Sequence, residues 1–198
     1  MLIDTFVEWI APRSSGVIDV PSSAARQEMT TTPRTRSSKS AGAAPTGPEH
    51  RLAQLDITLP EPPLPFGTYV EAVQAAGLLF LTGMLPTEGK TPMFVGRVGA
   101  ELDAAAGREA ARVAAINAVA VAREALGSLD KVKRIVRLGV YVATSGDVRD
   151  QPQVADGASD LLQDIFGPER NPCRLVFGVA SLPLGVPVEL EVIFEVTA

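Results

Sequence analysis

The last run of the chain alternates without a break. Val188, Leu190, Val192, Phe194 and Val196 fall on one side of an extended backbone, and Glu189, Glu191, Ile193 and Glu195 fall on the other. A period of two is that of a strand with one face in a core. Upstream, Arg174 precedes an apolar, β-rich stretch, and the Pro/Gly-containing residues 182–187 separate the two runs. The pattern predicts a hairpin-like unit in which Arg174 projects from the end of a buried strand.

Earlier positions supply the rest of a two-layer domain. Residues 69–75 and 78–82 read as two short strands around Ala76-Gly77, with Gly83 and Pro86 stopping the second. Residues 104–126 are an Ala-rich helical run with Asp103 placed as N-cap and Gly127 as its stop. A third strand is expected over 130–144. In residues 151–166, Val154, Ala158, Leu161, Leu162 and Ile165 form an apolar helical stripe closed by Gly167-Pro168. The order β-β-α-β-α-β-β predicts an α+β domain with two helices packed on one face of a mixed sheet. The other sheet face then needs cover, which a closed homo-oligomer would provide.

Residues 1–48 do not follow these periods. They are rich in Ser, Thr, Ala and Pro, a composition that cannot offset chain entropy, and are read as a disordered or non-native extension ahead of a domain at 49–198. Trp9, the only tryptophan, lies in that extension. The proline-studded residues 60–67 are expected to form an ordered surface arm.

Composition narrows the chemistry. A chain of 198 residues with 46% hydrophobic and 21% charged residues is that of one ordinary domain plus a tail. The net charge of −5 and a pI near 5.0 give no footprint for nucleic acid or an anionic membrane. The single cysteine, Cys173, leaves no intrachain disulfide, which fits a reducing, cytoplasmic setting. The single histidine, His50, stands just ahead of the ordered part, so neither a Ser-His triad nor a histidine zinc site is expected.

Five segments together carry a resemblance: PFGTYVEAV from Pro65, LLFLTGMLP from Leu78, GREAARVAAINAVA from Gly107, LGSLDKVKRIVRLGVYV from Leu126 and CRLVFGVASLPLGVPVELE from Cys173. In this order they resemble the YjgF family, also called the RidA or reactive intermediate deaminase family, from about Leu52 to the C-terminus. The resemblance implies a chorismate-mutase-like fold and a homotrimer with ligand sites between subunits. It implies hydrolysis of reactive enamines and 2-imino acids to 2-keto acids and ammonia, without metal or cofactor. Some relatives are described as endoribonucleases or translation inhibitors, and others bind small ligands without known catalysis.

Carried over residue by residue, the resemblance places the substrate-holding arginine at Arg174 and the last-strand glutamate at Glu189. It places Tyr69, Thr82 and Gly83 around the substrate. Three positions depart from the family pattern: Thr82 stands where serine is usual, Val176 where well-known deaminases have cysteine, and Asp156 where asparagine is common. Val176 and Asp156 bear on which substrate is taken.

The residue types suit the reaction. A planar guanidinium grips a carboxylate through two parallel hydrogen bonds, and a C=N carbon that is already electrophilic needs positioning more than a strong nucleophile. Glu189 beside a cation is expected to stay ionised, as a water-orienting acceptor and modest base. Thr82 would hold the same water or the leaving nitrogen, and Tyr69 would close the pocket. On their own, charges on an amphipathic strand would be a solvated face worth little. A simple hairpin would set Arg174 opposite Phe194, too far from Glu189 for one small substrate, so a shared site calls for two subunits. The leading expectation is a deaminase acting on a small carboxylate substrate, with no nucleic-acid or membrane partner. The alternatives are a non-catalytic carboxylate-binding module and, less favoured by the acidic pI, an endoribonuclease.

Overall fold

The structure is a computed structural model that describes residues 46–197. The tail reading for residues 1–48 falls almost wholly outside the described residues. Where description begins, the chain forms a short helix, α1 (Pro48–Gln54), that the sequence reading did not anticipate. Pro48 opens it, but Gly47 supplies no side-chain cap. Tertiary bonds hold it instead. Glu49 accepts from the Leu129 backbone N–H at 3.0 Å, Asp130 accepts from the Glu49 N–H at 3.2 Å, and Leu52 is buried.

The five-stranded sheet runs in the order β1-β2-β7-β5-β6, where β1 is Ala72–Ala75, β2 is Leu78–Leu81, β5 is Val132–Ala143, β6 is Cys173–Val179 and β7 is Val188–Val196. A separate two-residue ladder, β3 (Thr87–Glu88) with β4 (Thr91–Pro92), lies in the loop after β2. The helices α2 (Ala104–Leu126) and α3 (Gln151–Phe166) cover one face. This is the expected two-layer α+β architecture. Asp103 caps α2 by accepting from the Ala106 N–H at 2.8 Å, and Gly127 ends it at φ 75°, a left-handed turn that costs glycine little.

The hairpin-like pairing of the last two strands is not what forms. β6 runs parallel to β5, and β7 runs antiparallel to it on the other side. β5 therefore separates them. A helix between two strands favours the parallel crossover, and α3 stands between β5 and β6. The long connection through residues 180–187 then carries the chain past the end of β5 to the slot between β5 and β2. β6 is accordingly an edge strand, not a buried one, with Leu175 and Phe177 exposed.

The strand periodicity sorts the core as predicted. Val188, Leu190, Val192, Phe194 and Val196 are buried under the helices with Leu138, Val140, Phe166 and the alanines of α2. The opposite face has no cover among the described residues. Val73, Phe80, Leu175 and Phe177 are exposed on it, and Phe177 stacks on Tyr141 with ring centroids 5.8 Å apart. Arg137 donates to Glu191 there at 2.9 Å.

Candidate functional site

Glu189 belongs to the uncovered face, because its strand neighbours Val188 and Leu190 point into the core. Across β5 it is level with Tyr141, and beyond that with Phe177. On its other side the β2 strand carries an irregularity. Phe80 pairs with Ile193 and Met84 with Leu190, so three residues, Leu81, Thr82 and Gly83, stand opposite two, Glu191 and Val192. This is a β-bulge, a device that re-aims side chains beside a site. Backbone bonds in both directions between Met84 and Leu190, each 2.9 Å, pin its far end, and the Thr82 N–H donates to the Glu71 carbonyl at 3.0 Å.

The bulge makes room for the carboxylate. A Cβ on Gly83 would overlap Glu189 Oε1 and lie 2.9 Å from its Cδ, so only glycine leaves that carboxyl in place. Glu189 is half-buried, and burial pushes its carboxyl above the ordinary value of 4.5, with no cation among the described residues to offset it. Glu71, which meets Thr82 through the backbone, is likewise raised by burial. Sequence reading passed over Glu71, and its single carboxylate in an otherwise ordinary strand carried no signal.

Arg174 is elsewhere. It pairs in register with Leu138, and Leu138 with Val192, so its side chain leaves on the helix-covered side. There its Nη1 donates to Asp156 Oδ1 at 2.6 Å and to Ser159 Oγ at 3.0 Å, both on α3. Val176, two residues on, faces the same side and packs partly against the core. Glu189 lies three residues along and two strands across from Arg174, about 10 Å in each direction from ideal sheet spacings, and on the opposite face. Within one copy the two residues do not meet. The ion pair with Asp156, whose side chains are 30% and 42% exposed, contributes only about 0–1 kcal/mol to stability.

Tyr69 lies just outside β1, not within the first strand as expected, and is exposed. Its hydroxyl oxygen accepts from the Phe66 N–H at 2.9 Å, which ties the proline-rich arm to the start of the sheet. The structure therefore brings together Thr82, Gly83 and Glu189, and it gathers Arg174, Val176, Asp156 and Ser159 in a second group. Ser159 was missed, although its spacing of three from Asp156 places both on one helical face. Surface hollows in one copy lie by the helices, one of them beside Leu55, Arg108, Gly157 and Asp160, and neither group lines them. Among the described residues no three His, Cys, Asp or Glu side chains gather as a metal cluster, and no helix is long and apolar enough to cross a membrane.

Comparison with known proteins gives this arrangement its relatives. A family model described as "YjgF/chorismate_mutase-like, putative endoribonuclease" matches residues 49–195. The chain belongs to the YjgF/RidA family. It is 39% identical over 145 residues to Protein TCP17 of Trypanosoma cruzi, covering 73% of this chain and 91% of that protein. It is 30% identical over 136 residues to a 2-iminobutanoate/2-iminopropanoate deaminase of Dermatophagoides farinae, covering 68% of this chain and 91% of that one. Among solved structures, a protein of unknown function from Agrobacterium tumefaciens matches with 34% identity and a TM-score of 0.69, covering 76% of this chain and 92% of its own. In this YjgF-family chain Arg174 and Glu189 lie on opposite faces of the sheet.

Proposed function

We propose that this protein hydrolyses reactive 2-imino acids and enamines to 2-keto acids and ammonia. The observation that carries the reading is the Glu189 carboxyl seated in the space left by Gly83, half-buried and, among the described residues, without a cation beside it. A carboxyl that burial raises above its ordinary value is a stronger base towards water than an exposed one. The deaminase name of the Dermatophagoides farinae relative supports the same reaction class.

The site of this reading is formed by two copies of the chain. One copy contributes Glu189, Thr82 and Gly83 from the uncovered sheet face, and another contributes Arg174 from its β6 edge. The substrate carboxylate lies on the guanidinium, and Glu189 takes a proton from the attacking water and returns it to the departing nitrogen. The apolar residues of the open face, Val73, Phe80, Leu175 and Phe177, supply the contact surface for a homotrimer. Such a protein would work in the cytoplasm, where these intermediates arise.

The test is hydrolysis of a 2-imino acid generated in place by an amino-acid oxidase. Acceleration by the full chain that is lost in Arg174→Ala is the expected result. No acceleration with small, branched or aromatic imines would overturn the reading.

A further inference from the structure

We propose that Asp156, together with Ser159, is a positioning residue that presents Arg174 to the substrate carboxylate; this deepens the deaminase reading above and rests on it. Arg174 stands on an edge strand, where a long side chain has many rotamers to lose on binding a ligand. Asp156 and Ser159 remove that freedom beforehand. They sit three residues apart on α3, on the face turned to β6, and both accept from Nη1, at 2.6 Å and 3.0 Å.

The bonding leaves a defined edge free. Nη1 carries two hydrogens, and two acceptors use them. Nε and Nη2 have no partner among the described residues, and their N–H bonds are the parallel pair that receives a carboxylate side-on. Ser159 is itself oriented, since its hydroxyl donates to the Ala155 carbonyl at 3.3 Å, which turns an oxygen lone pair towards the guanidinium. Asp156 therefore acts through Arg174 without occupying the fork that the substrate needs.

The experiment measures kcat and KM for 2-imino acid hydrolysis, and the Kd of 2-oxobutanoate as a stable stand-in for the product class. The full-length wild type is compared with Asp156→Ala, Asp156→Asn and Ser159→Ala, with melting temperature followed in each. Asp156→Ala is expected to raise KM and Kd about tenfold while kcat stays within about twofold, as for loss of uniform binding. Asp156→Asn keeps an acceptor for Nη1 and is expected to recover to within about threefold of wild type, with Ser159→Ala between the two. A merely structural pair would shift the melting temperature and leave the KM-to-kcat split alone.

An unchanged or lower KM in Asp156→Ala, with wild-type turnover intact, would overturn the positioning role and leave the deaminase reading standing. A wild type that neither turns over imines nor binds 2-oxobutanoate would overturn both.

Discussion

The Glu189 carboxylate occupies the space that a side chain at position 83 would fill. Gly83 is the last of the three residues that β2 sets against two of β7, so the bulge and the glycine act together. One adds backbone to aim the strand, and the other withholds a Cβ so that the carboxyl can rest over it.

Gly83→Ala tests this relationship. The atoms that clash are at the far end of the flexible Glu189 side chain, so the fold absorbs the methyl by displacing the carboxyl. Stability is expected to stay within about 0.5 kcal/mol of wild type, as for most surface changes. Imine hydrolysis is expected to fall by about one to two orders of magnitude, the share of rate that a misplaced acid–base group forfeits. Denaturant melts beside kcat separate the two. Lost stability with full activity would show that the carboxyl position is irrelevant to turnover.

Glu189→Gln is read against pH. Burial raises the folded-state pKa of Glu189 above 4.5, so its ionisation opposes folding. The sign follows from linkage: the favourable contribution of the neutral carboxyl is complete below the unfolded value and is lost as pH rises through the folded one. Glutamine, always neutral, is therefore expected to stabilise the protein slightly at pH 7 and to lose that advantage below about pH 4.5. The rate should move the other way. Wild-type kcat/KM is expected to fall on the acid side along a limb whose midpoint lies above 4.5, and in the glutamine variant the limb should vanish with roughly a hundredfold loss of rate. A limb unchanged by Glu189→Gln would assign it to another group.

Most of the fold could be read from periodicity, because both helices and the strand Val188–Val196 bury one face and so carry a 3.6- or 2-residue signal. The pairing of β6 could not. Cys173–Val179 is equally apolar whether it lies beside β7 or beyond β5, and the choice was made by α3, which imposes a parallel crossover on the strands it joins. The same limit applied to the site. Arg174 and Glu189 could be named as candidates from the family resemblance, whereas the face each would take depended on that pairing. The short helix Pro48–Gln54 was invisible for a different reason: it is held by Asp130, Leu129 and Arg123, far along the chain, and not by its own propensity.

Asn117 supports the bulge from behind. It is buried within α2, a poor place for an amide, and its Nδ2 donates to the Leu85 carbonyl at 2.9 Å and the Thr87 carbonyl at 2.8 Å. These bonds reach two backbone acceptors in the segment that follows Gly83-Met84. Asn117→Ala is expected to cost about 1–3 kcal/mol, the cost of taking a buried donor from two carbonyls, of which that of Leu85 keeps the Thr87 N–H at 3.0 Å. In urea the midpoint should fall while the m-value stays constant. A variant as stable as wild type would show that water replaces the amide.

Subunit mixing decides whether the site spans two copies. Arg174→Ala and Glu189→Gln are each expected to be nearly inactive alone. When the two variants are co-folded in equal amounts, a site that takes its arginine from one copy and its glutamate from another is intact whenever both donors are the undamaged kind. For random assembly that is about one site in four, so activity should return to roughly a quarter of wild type. A site contained within one copy can never be repaired in this way, because every copy lacks one of the two residues. The register makes repair the expected outcome, since β5 stands between β6 and β7 and the two side chains leave the sheet on opposite faces. Phe177→Asp added to both variants supplies the control. Charging the open face is expected to yield monomers by sedimentation, and the recovered activity should disappear with the assembly.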